Sequence, residues 1–132
     1  MQGKKSLSGA SQSVSTVDVS SVFSTYVYTG TSVAKDIVNG IDLVTDGGLV
    51  WIKNRTSFGR SHQLYDTERG ATKDLESENT NAEGTEASGL TSFNVDGFTI
   101  GTAADVNTSG DTLVSWTFKK QPRFFDMVKY TG

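Results

Sequence analysis

The sequence predicts an all-β fold, an antiparallel β-sandwich or jelly roll, and three observations support this prediction. Asp96-Gly97, a dipeptide typical of tight hairpins, separates two short apolar segments. Residues 112–118 alternate between two faces, as expected for a half-buried strand. Residues 49–52 are apolar without interruption, which is typical of a strand covered on both faces.

Size and composition exclude several classes of protein. The chain has 132 residues and a mass of 14.2 kDa, which suits one domain with a modest core. The mean hydropathy is −0.33, so the sequence predicts neither a membrane span nor a secretory signal. Because the chain contains no cysteine, disulfides and thiolate metal sites are excluded. The net charge is −3 and no basic face is apparent, which argues against nucleic-acid binding.

Residues 1–22 differ in composition from the rest of the chain. They are rich in serine and contain no aromatic residue, so they have too little apolar surface to fold alone. We expect an extended N-terminal arm that is flexible or docks on a partner. The remainder divides into a β-sandwich domain over residues 23–121 and, after Pro122 ends the last strand, a linker and further strand over residues 122–132.

The first half of the predicted domain contains a second turn signal. Residues 36–38 and 41–43 flank Asn39-Gly40, so we predict a strand on each side of this turn. The continuous apolar strand at residues 49–52 follows. These segments place three strands before the middle of the chain.

The middle of the chain is predicted to contain another strand pair and a long loop. Residues 62–66 are expected to pair with residues 71–75, although a short helix over residues 67–75 is an alternative. Residues 76–89 are small and polar and are predicted to form a loop. Long loops in compact β domains often carry binding sites, so this loop is a candidate location for one.

The predicted core consists of apolar and aromatic positions on these strands. On the last strand, Thr112, Val114, Trp116 and Phe118 share one face, opposite that of Leu113, Ser115 and Thr117. The expected core residues are Tyr26, Tyr28, Ile37, Val50, Trp51, Ile52, Leu64, Leu75, Phe93, Phe98, Ile100, Val114, Trp116 and Phe118.

No residue pattern points to catalysis. His62 is the only histidine and no nucleophile motif accompanies it, so a locally hydrogen-bonded histidine is favoured over a catalytic one. Asp74, Glu76 and Glu78 repeat at a spacing of two, which would align them on one strand face. A solvated strand face is favoured over the paired carboxylates of a glycosidase. The sequence therefore predicts no catalytic residues and no enzyme activity.

Residues 105–111 resemble the beginning of a calcium-binding loop. Asp105, Asn107 and Ser109 fall at the first, third and fifth positions, and glycine at the sixth. The twelfth position, however, is Trp116 instead of a bidentate glutamate, so a hairpin turn is the favoured interpretation. We therefore predict no metal site and no cofactor.

An eight-residue pattern occurs twice. Residues 23–30 (Phe-Ser-Thr-Tyr-Val-Tyr-Thr-Gly) recur as residues 125–132 (Phe-Asp-Met-Val-Lys-Tyr-Thr-Gly), with phenylalanine, the second tyrosine, threonine and glycine identical. A repeat at a fixed period is typical of an array of similar units. We expect the second copy to be the first strand of a second unit, and therefore poorly packed or paired with a neighbouring chain.

Four separated segments resemble a known family. They are residues 48–55 (Gly-Leu-Val-Trp-Ile-Lys-Asn-Arg), 61–73, 90–98 and 106–118. In this order they resemble concanavalin-like sandwich domains of bacteriophage virion and tail-fibre proteins, many of them marine or cyanobacterial, and the resemblance covers residues 26–132. It implies a concanavalin-like sandwich, a virion structural protein and a location on the phage particle.

The resemblance and the arm together suggest a function. We expect the N-terminal attachment region of a tail fibre, which binds other virion proteins through residues 1–22 and forms a homo-oligomer such as a trimer. A carbohydrate-binding module for host surface glycan is one alternative, with Arg60 and Tyr65 as candidate binding residues. Trp51 is a third candidate, although burial in the core explains it better. A capsid decoration protein is another. The sequence predicts no nucleic-acid partner and no membrane partner.

Overall fold

The computed structural model of the chain describes residues 16–132, which form nine β-strands and two single-turn helices. In chain order the elements are α1 (Val19–Val22), β1 (Phe23–Thr29), β2 (Lys35–Val38), β3 (Gly48–Asn54), β4 (Gln63–Asp66), β5 (Lys73–Glu76), β6 (Gly84–Thr85), β7 (Leu90–Asn94), β8 (Gly97–Ile100), α2 (Ala104–Asn107) and β9 (Thr112–Lys119). In the described part of the chain, neither helix is of the length and apolarity needed to cross a membrane.

The strands form two antiparallel sheets. The larger sheet has the order β1-β9-β3-β4-β5-β6, and the smaller has the order β2-β8-β7. Strand β9 lies inside the larger sheet, between β1 and β3, although it is the last strand in the chain. The prediction of an all-β sandwich is confirmed.

Apolar side chains from both sheets meet in one core. Val50 and Ile52 come from β3, and Phe98 and Ile100 come from β8; all four are fully buried. Leu113 joins them from β9. The remaining core positions come from strands and from the segments between them: Tyr28, Ile37, Ile41, Leu43, Tyr65, Leu90 and Val106. Burial of this apolar surface is the main driving force for folding.

The inward face of β9 is the opposite of the predicted one. Leu113, Ser115 and Thr117 are fully buried, whereas Trp116 and Phe118 are half-buried. The sequence pattern favoured the aromatic face for the core because hydrophobic residues are usually inside. In the structure Ile41 and Leu43 enter the core from the segment between β2 and β3, and the inward side chains of β9 are Leu113 and the smaller Ser115 and Thr117. Thr117 is also hydrogen-bonded there, since Asn39 Nδ2 donates to its hydroxyl at 2.9 Å.

The other face of the larger sheet carries a cluster of aromatic side chains. We call it the outer aromatic face and define it as Phe23, Trp51, Trp116 and Phe118. Trp51 pairs with Trp116 across β3 and β9, with ring centroids 5.4 Å apart. Phe23 packs on Phe118 with centroids 5.0 Å apart. These rings bury one another instead of entering the core.

The predicted core residues consequently fall into three groups. Those buried as expected are Tyr28, Ile37, Val50, Ile52, Phe98, Ile100 and Val114. Those only half-buried are Trp51, Leu64, Leu75, Phe93, Trp116 and Phe118. Tyr26 is exposed, because it lies on the edge strand β1, and its prediction is wrong.

The two turn signals have different outcomes. The hairpin between β7 and β8 is confirmed, although its two loop residues are Val95 and Asp96, and Gly97 already pairs with Asn94. The strand predicted at residues 41–43 is wrong. Asp42 Oδ1 accepts hydrogen bonds from the backbone N–H groups of Val44 and Thr45, which stabilises a local turn in place of a strand.

The strand pair in the middle of the chain is confirmed, because β4 and β5 are antiparallel neighbours. The alternative of a helix over residues 67–75 is wrong, since residues 67–69 form a turn and β5 begins at Lys73. The predicted loop at residues 76–89 contains one short strand, β6, which pairs with β5.

The two ends of the described chain pack on the sandwich in different ways. Residues 1–15 of the predicted N-terminal arm lie outside the described residues. Asp18 caps α1, and Val22 in α1 is buried, so this part belongs to the folded domain. At the other end, residues 126–132 are not in a strand.

Asn107, at the end of α2, joins the segment at residues 31–33 to the one at Gly101. Its Oδ1 accepts a hydrogen bond from Thr31 N at 2.8 Å, and its Nδ2 donates to Val33 O at 2.8 Å and Gly101 O at 2.7 Å. The Asn107 side chain is fully buried, so its own polar atoms depend on these partners.

We expect Asn107→Ala to lower the free energy of unfolding by about 3 kcal/mol, because buried polar groups lose their partners. Urea denaturation measures the change. Asn81→Ala, at an exposed position, is the control and should cost about 0.5 kcal/mol or less. Equal losses in the two variants would contradict this role of Asn107.

Candidate functional site

The glycan-binding residues proposed from the sequence lie in different environments. Tyr65 is 1% exposed and belongs to the core, and burial raises the pKa of its hydroxyl. Its prediction as a surface binding residue is therefore wrong. Arg60 lies in the segment between β3 and β4 and is accessible to solvent. Trp51 is half-buried in the outer aromatic face, where it packs against Trp116.

Arg60 lines a shallow pocket at one end of the larger sheet. The pocket has a volume of about 330 Å³ and is lined by Lys53, Gly59, Arg60, Ser61, His62 and Glu78. Arg60 Nη1 lies 3.6 Å from Asp105 Oδ1, and Lys53 Nζ donates a hydrogen bond to the Arg60 carbonyl. The two cations thus have partners but remain near the pocket surface.

His62 and Glu78 form another wall of this pocket. Trp51 Nε1 donates to His62 Nδ1 at 2.9 Å, which makes Nδ1 an acceptor and fixes the ring orientation. The backbone N–H of His62 donates to Glu78 Oε1 at 3.0 Å. A hydrogen bond from the Ser61 hydroxyl lowers the pKa of Glu78, so its carboxylate stays ionised and acts as an acceptor.

Phe58 is the residue that the sequence reasoning missed. Its side chain is fully exposed, with a relative accessibility of 104%, and Gly59 of the pocket follows it directly. Gly59 has a φ of +81°, a conformation that favours glycine and places Phe58 at the tip of a turn. The available signal was a single aromatic residue in the otherwise polar segment 56–61.

The segment that presents Phe58 and Arg60 is pinned at its base. Asn54 Oδ1 accepts the N–H groups of Thr56 and Ser57 at 2.9 Å each, and Asn54 Nδ2 donates to Asp111 Oδ2 at 2.8 Å. The Ser57 hydroxyl also donates to Asp111. These hydrogen bonds lower the pKa of Asp111, with the Ser57 contribution the larger. The segment between Asn54 and Arg60 therefore has a hydrogen-bonded base, and Phe58 is exposed at its tip.

The acidic residues do not form one stripe. Asp74 and Glu76 lie on β5, and burial raises the pKa of Asp74. Glu76 Oε2 accepts hydrogen bonds from the side chains of Asn79 and Asn81. Glu78 lies beyond the end of β5 and faces His62. Because Glu78 lies outside β5, the predicted stripe is wrong at Glu78, although the Ser61 side chain bonds to both Glu76 and Glu78.

The segment that resembles a calcium loop is divided between other contacts. Asp105 pairs with Arg60, Asn107 is buried among backbone groups, and Asp111 binds Asn54 and Ser57. Within residues 16–132, no three His, Cys, Asp or Glu side chains are grouped as metal ligands. Residues 104–107 form α2, and a turn at residues 109–110 leads from it into β9. The predicted hairpin is wrong here, because β8 and β9 lie in different sheets.

The pocket offers a specific kind of chemistry. Arg60 and Lys53 donate hydrogen bonds and Glu78 accepts them, while Phe58, next to Gly59 in the chain, is a fully exposed ring outside the pocket lining. A sugar ring has hydroxyls around its edge and an apolar face, which are complementary to polar groups and to an aromatic ring respectively.

Comparison with family models gives one match, to a family described as "Domain of unknown function (DUF7483)", over residues 18–123. The match begins at Asp18, the N-cap of α1, and ends at Arg123, after β9. It therefore includes the sandwich and the pocket. No match was found among curated proteins or among solved structures.

Asp111 gives the pinned base a predictable pH dependence. Its folded-state pKa is lowered from the ordinary value of 3.8, so its stabilising effect is present above that value and is lost as pH falls through the folded-state pKa. We expect the difference in unfolding free energy between the wild type and Asp111→Asn to be greatest above about pH 4 and to shrink towards pH 2.

Urea titrations at a series of pH values measure this difference. Glu83→Gln is the matched control, because Glu83 is exposed, and it should remain parallel to the wild type. A difference between the wild type and Asp111→Asn that does not change with pH would contradict the assignment.

Proposed function

The chain belongs to the DUF7483 family, and we propose that it is a structural component of a bacteriophage particle. More specifically, we propose that it is the N-terminal attachment region of a tail fibre, in which residues 1–22 contact another virion protein. The sandwich has no catalytic role in this proposal. The protein self-associates in it, for example as a trimer.

One observation carries this proposal. All four segments of the resemblance to phage virion domains coincide with elements that build the sandwich: β3, β4 with β5, β7 with β8, and α2 with β9. The resemblance therefore extends over the packed fold instead of one local motif. The fold also keeps α1 and β1 at the edge of the larger sheet, where a preceding segment can reach a partner.

The environment of the ionisable groups supports a non-catalytic role. Glu76 is bound by the side chains of Asn79 and Asn81, and Glu78 accepts from the backbone N–H of His62. His62 Nδ1 is occupied by Trp51. A general acid and base would need to converge on one substrate position. Contacts of this kind stabilise a scaffold.

Deletion of residues 1–17 tests the attachment role. We expect the truncated chain to keep its β-sheet circular dichroism spectrum, because Asp18 and α1 remain, but to be absent from purified particles. Mass spectrometry of particles made with the full-length and truncated proteins measures incorporation. The proposal is wrong if the full-length protein is absent from particles and is also monomeric by light scattering.

A second candidate function is binding of host surface glycan, and the exposed Phe58 beside the Arg60 pocket favours it. A fully exposed aromatic ring has an apolar surface that gains free energy when a ligand covers it. This function is compatible with a place on a virion. A capsid decoration protein, the third possibility, would differ in its position on the particle, which particle imaging reveals.

We expect Phe58→Ala to weaken binding to any glycan that the wild type retains on an array by about tenfold, because stacking on the ring is lost. Arg60→Ala should weaken it through lost hydrogen bonds. Phe124→Ala, another exposed phenylalanine outside the pocket, should leave binding unchanged. An array without hits, or equal effects of the two phenylalanine variants, would remove this candidate.

A further inference from the structure

The repeated pattern of residues 23–30 and 125–132 acquires a physical meaning in the structure. Three of the four identical residues in the first copy are required by its position at the edge of β9. Phe23 packs on Phe118. Tyr28 is buried and its hydroxyl donates to Val106 O at 2.8 Å. Gly30 has no space for a Cβ atom, which would collide with the Thr108 carbonyl.

The positions that differ between the two copies are tolerant ones. In β1 the side chains of Thr25, Tyr26 and Val27 are exposed, and Ser24 is half-buried. The second copy places Asp126, Met127, Val128 and Lys129 there. It therefore preserves Phe23, Tyr28 and Gly30, which fit the β9 edge, and three of the four positions that differ are exposed in β1.

The second copy is not seated as a strand in the structure. Residues 126–132 are outside both sheets, and within residues 16–132 no backbone hydrogen bond joins 128–132 to the rest of the chain. Tyr130 is 84% exposed, and Gly132 has open space around it. The constraints that explain Tyr28 and Gly30 are thus absent at the matching positions.

Where residues 127–130 lie in this structure, they border a cavity and a buried polar atom that has no partner within residues 16–132. Residues 127–130 border a cavity of about 250 Å³ whose opposite wall includes Arg69, Asp66 and Leu75. The Arg69 side chain is 8% exposed and bonds to Asp66, but its Nη1 is buried without a hydrogen-bond partner in the described chain. An unpaired buried donor is costly, and the cavity beside Arg69 shows that residues 127–130 are not closely packed on this wall.

Phe125 already lies next to the end of β9 at which β1 begins to pair. A turn over residues 121–125 reverses the chain after β9, with Gln121 and Phe125 forming a two-residue antiparallel bridge. The Phe125 ring stacks on Phe118 with centroids 5.2 Å apart, the same ring that Phe23 contacts. Arg123 in this turn has a φ of +68°, a strained conformation for a residue other than glycine.

We propose that the β1-facing edge of β9 is a binding surface for two segments of the same chain, and that residues 125–132 can take the place of β1 there. In the exchanged state Phe125, Tyr130 and Gly132 occupy the positions of Phe23, Tyr28 and Gly30. Residues 23–30 are then released together with the segment that precedes them.

The occupant is the chain's own C-terminal segment and not that of a second copy. Only residues 119–124 separate it from the opposing position on β9, which gives it a high effective concentration there. Its first residue already contacts Phe118. The exchange requires no phage partner and stands independently of the function proposed above.

An engineered cysteine pair tests the exchange in the full-length protein, which has no native cysteine. Because Thr29 pairs with Thr112, the exchanged state places Thr131 opposite Thr112. We expect Thr112→Cys with Thr131→Cys to form an intramolecular disulfide under mild oxidation. Thr112→Cys with Asp126→Cys is the matched control, since that register keeps the two residues apart.

Non-reducing electrophoresis and peptide mass spectrometry read the result. Equal cross-linking of the two pairs, or none in either pair, overturns the proposal. Disulfide-linked dimers in place of cross-linked monomers also overturn it, because they indicate that a second copy is the occupant.

Two glycine variants test the same proposal through stability. Gly30→Val blocks the seat for β1, and Gly132→Val blocks it for the second segment. We expect Gly132→Val alone to match the wild-type urea midpoint, and the double variant to unfold at lower urea than Gly30→Val. A double variant equal to Gly30→Val contradicts the exchange, and Gly30→Ala provides the same comparison if Gly30→Val does not fold.

Discussion

The two faces of strand β9 pack into different apolar layers, and the rest of the structure depends on which of its residues face each layer. The strand is hydrogen-bonded to β1 on one side and β3 on the other. Its inner face carries Leu113, Ser115 and Thr117, and Ile41 and Leu43 are buried in the same core. Its large aromatic residues are therefore placed on the outside, where they create a second apolar layer.

This arrangement accounts for which parts of the fold the sequence could predict. Strand identity depends on alternation and turn residues, which are local, so β3, β4, β5, β7, β8 and β9 were predicted close to their positions. The choice of inward face depends on what enters the core from elsewhere in the chain. The apolar alternation of residues 41–43 predicts a strand, although Asp42 favours a local turn through its hydrogen bonds to Val44 and Thr45. The entry of Ile41 and Leu43 into the core depends on distant packing, which the sequence pattern of β9 does not contain.

The candidate site shows the same division between local and distant information. Arg60 was proposed for its chemistry, and the segment around it does form a pocket. Tyr65 was proposed on the same grounds but lies on the inner face of β4, which only the register with β3 determines. Phe58 was missed because an exposed aromatic residue in a loop has no periodicity. Asp111 was noted as part of a calcium-like pattern, whereas its role is to hold the base of the Phe58 segment.

The outer aromatic face links the two ends of the chain. Phe118 at the end of β9 is contacted by Phe23 from the first copy of the repeat and by Phe125 from the second. One ring therefore provides the starting contact for either segment, while the Tyr28 position and the space at Gly30 complete the seat for only one of them at a time. In the proposed exchange, the repeat supplies two segments for one edge. The contacts of Phe23, Tyr28 and Gly30 at the edge of β9 would then explain why both segments carry phenylalanine, tyrosine and glycine at matching positions.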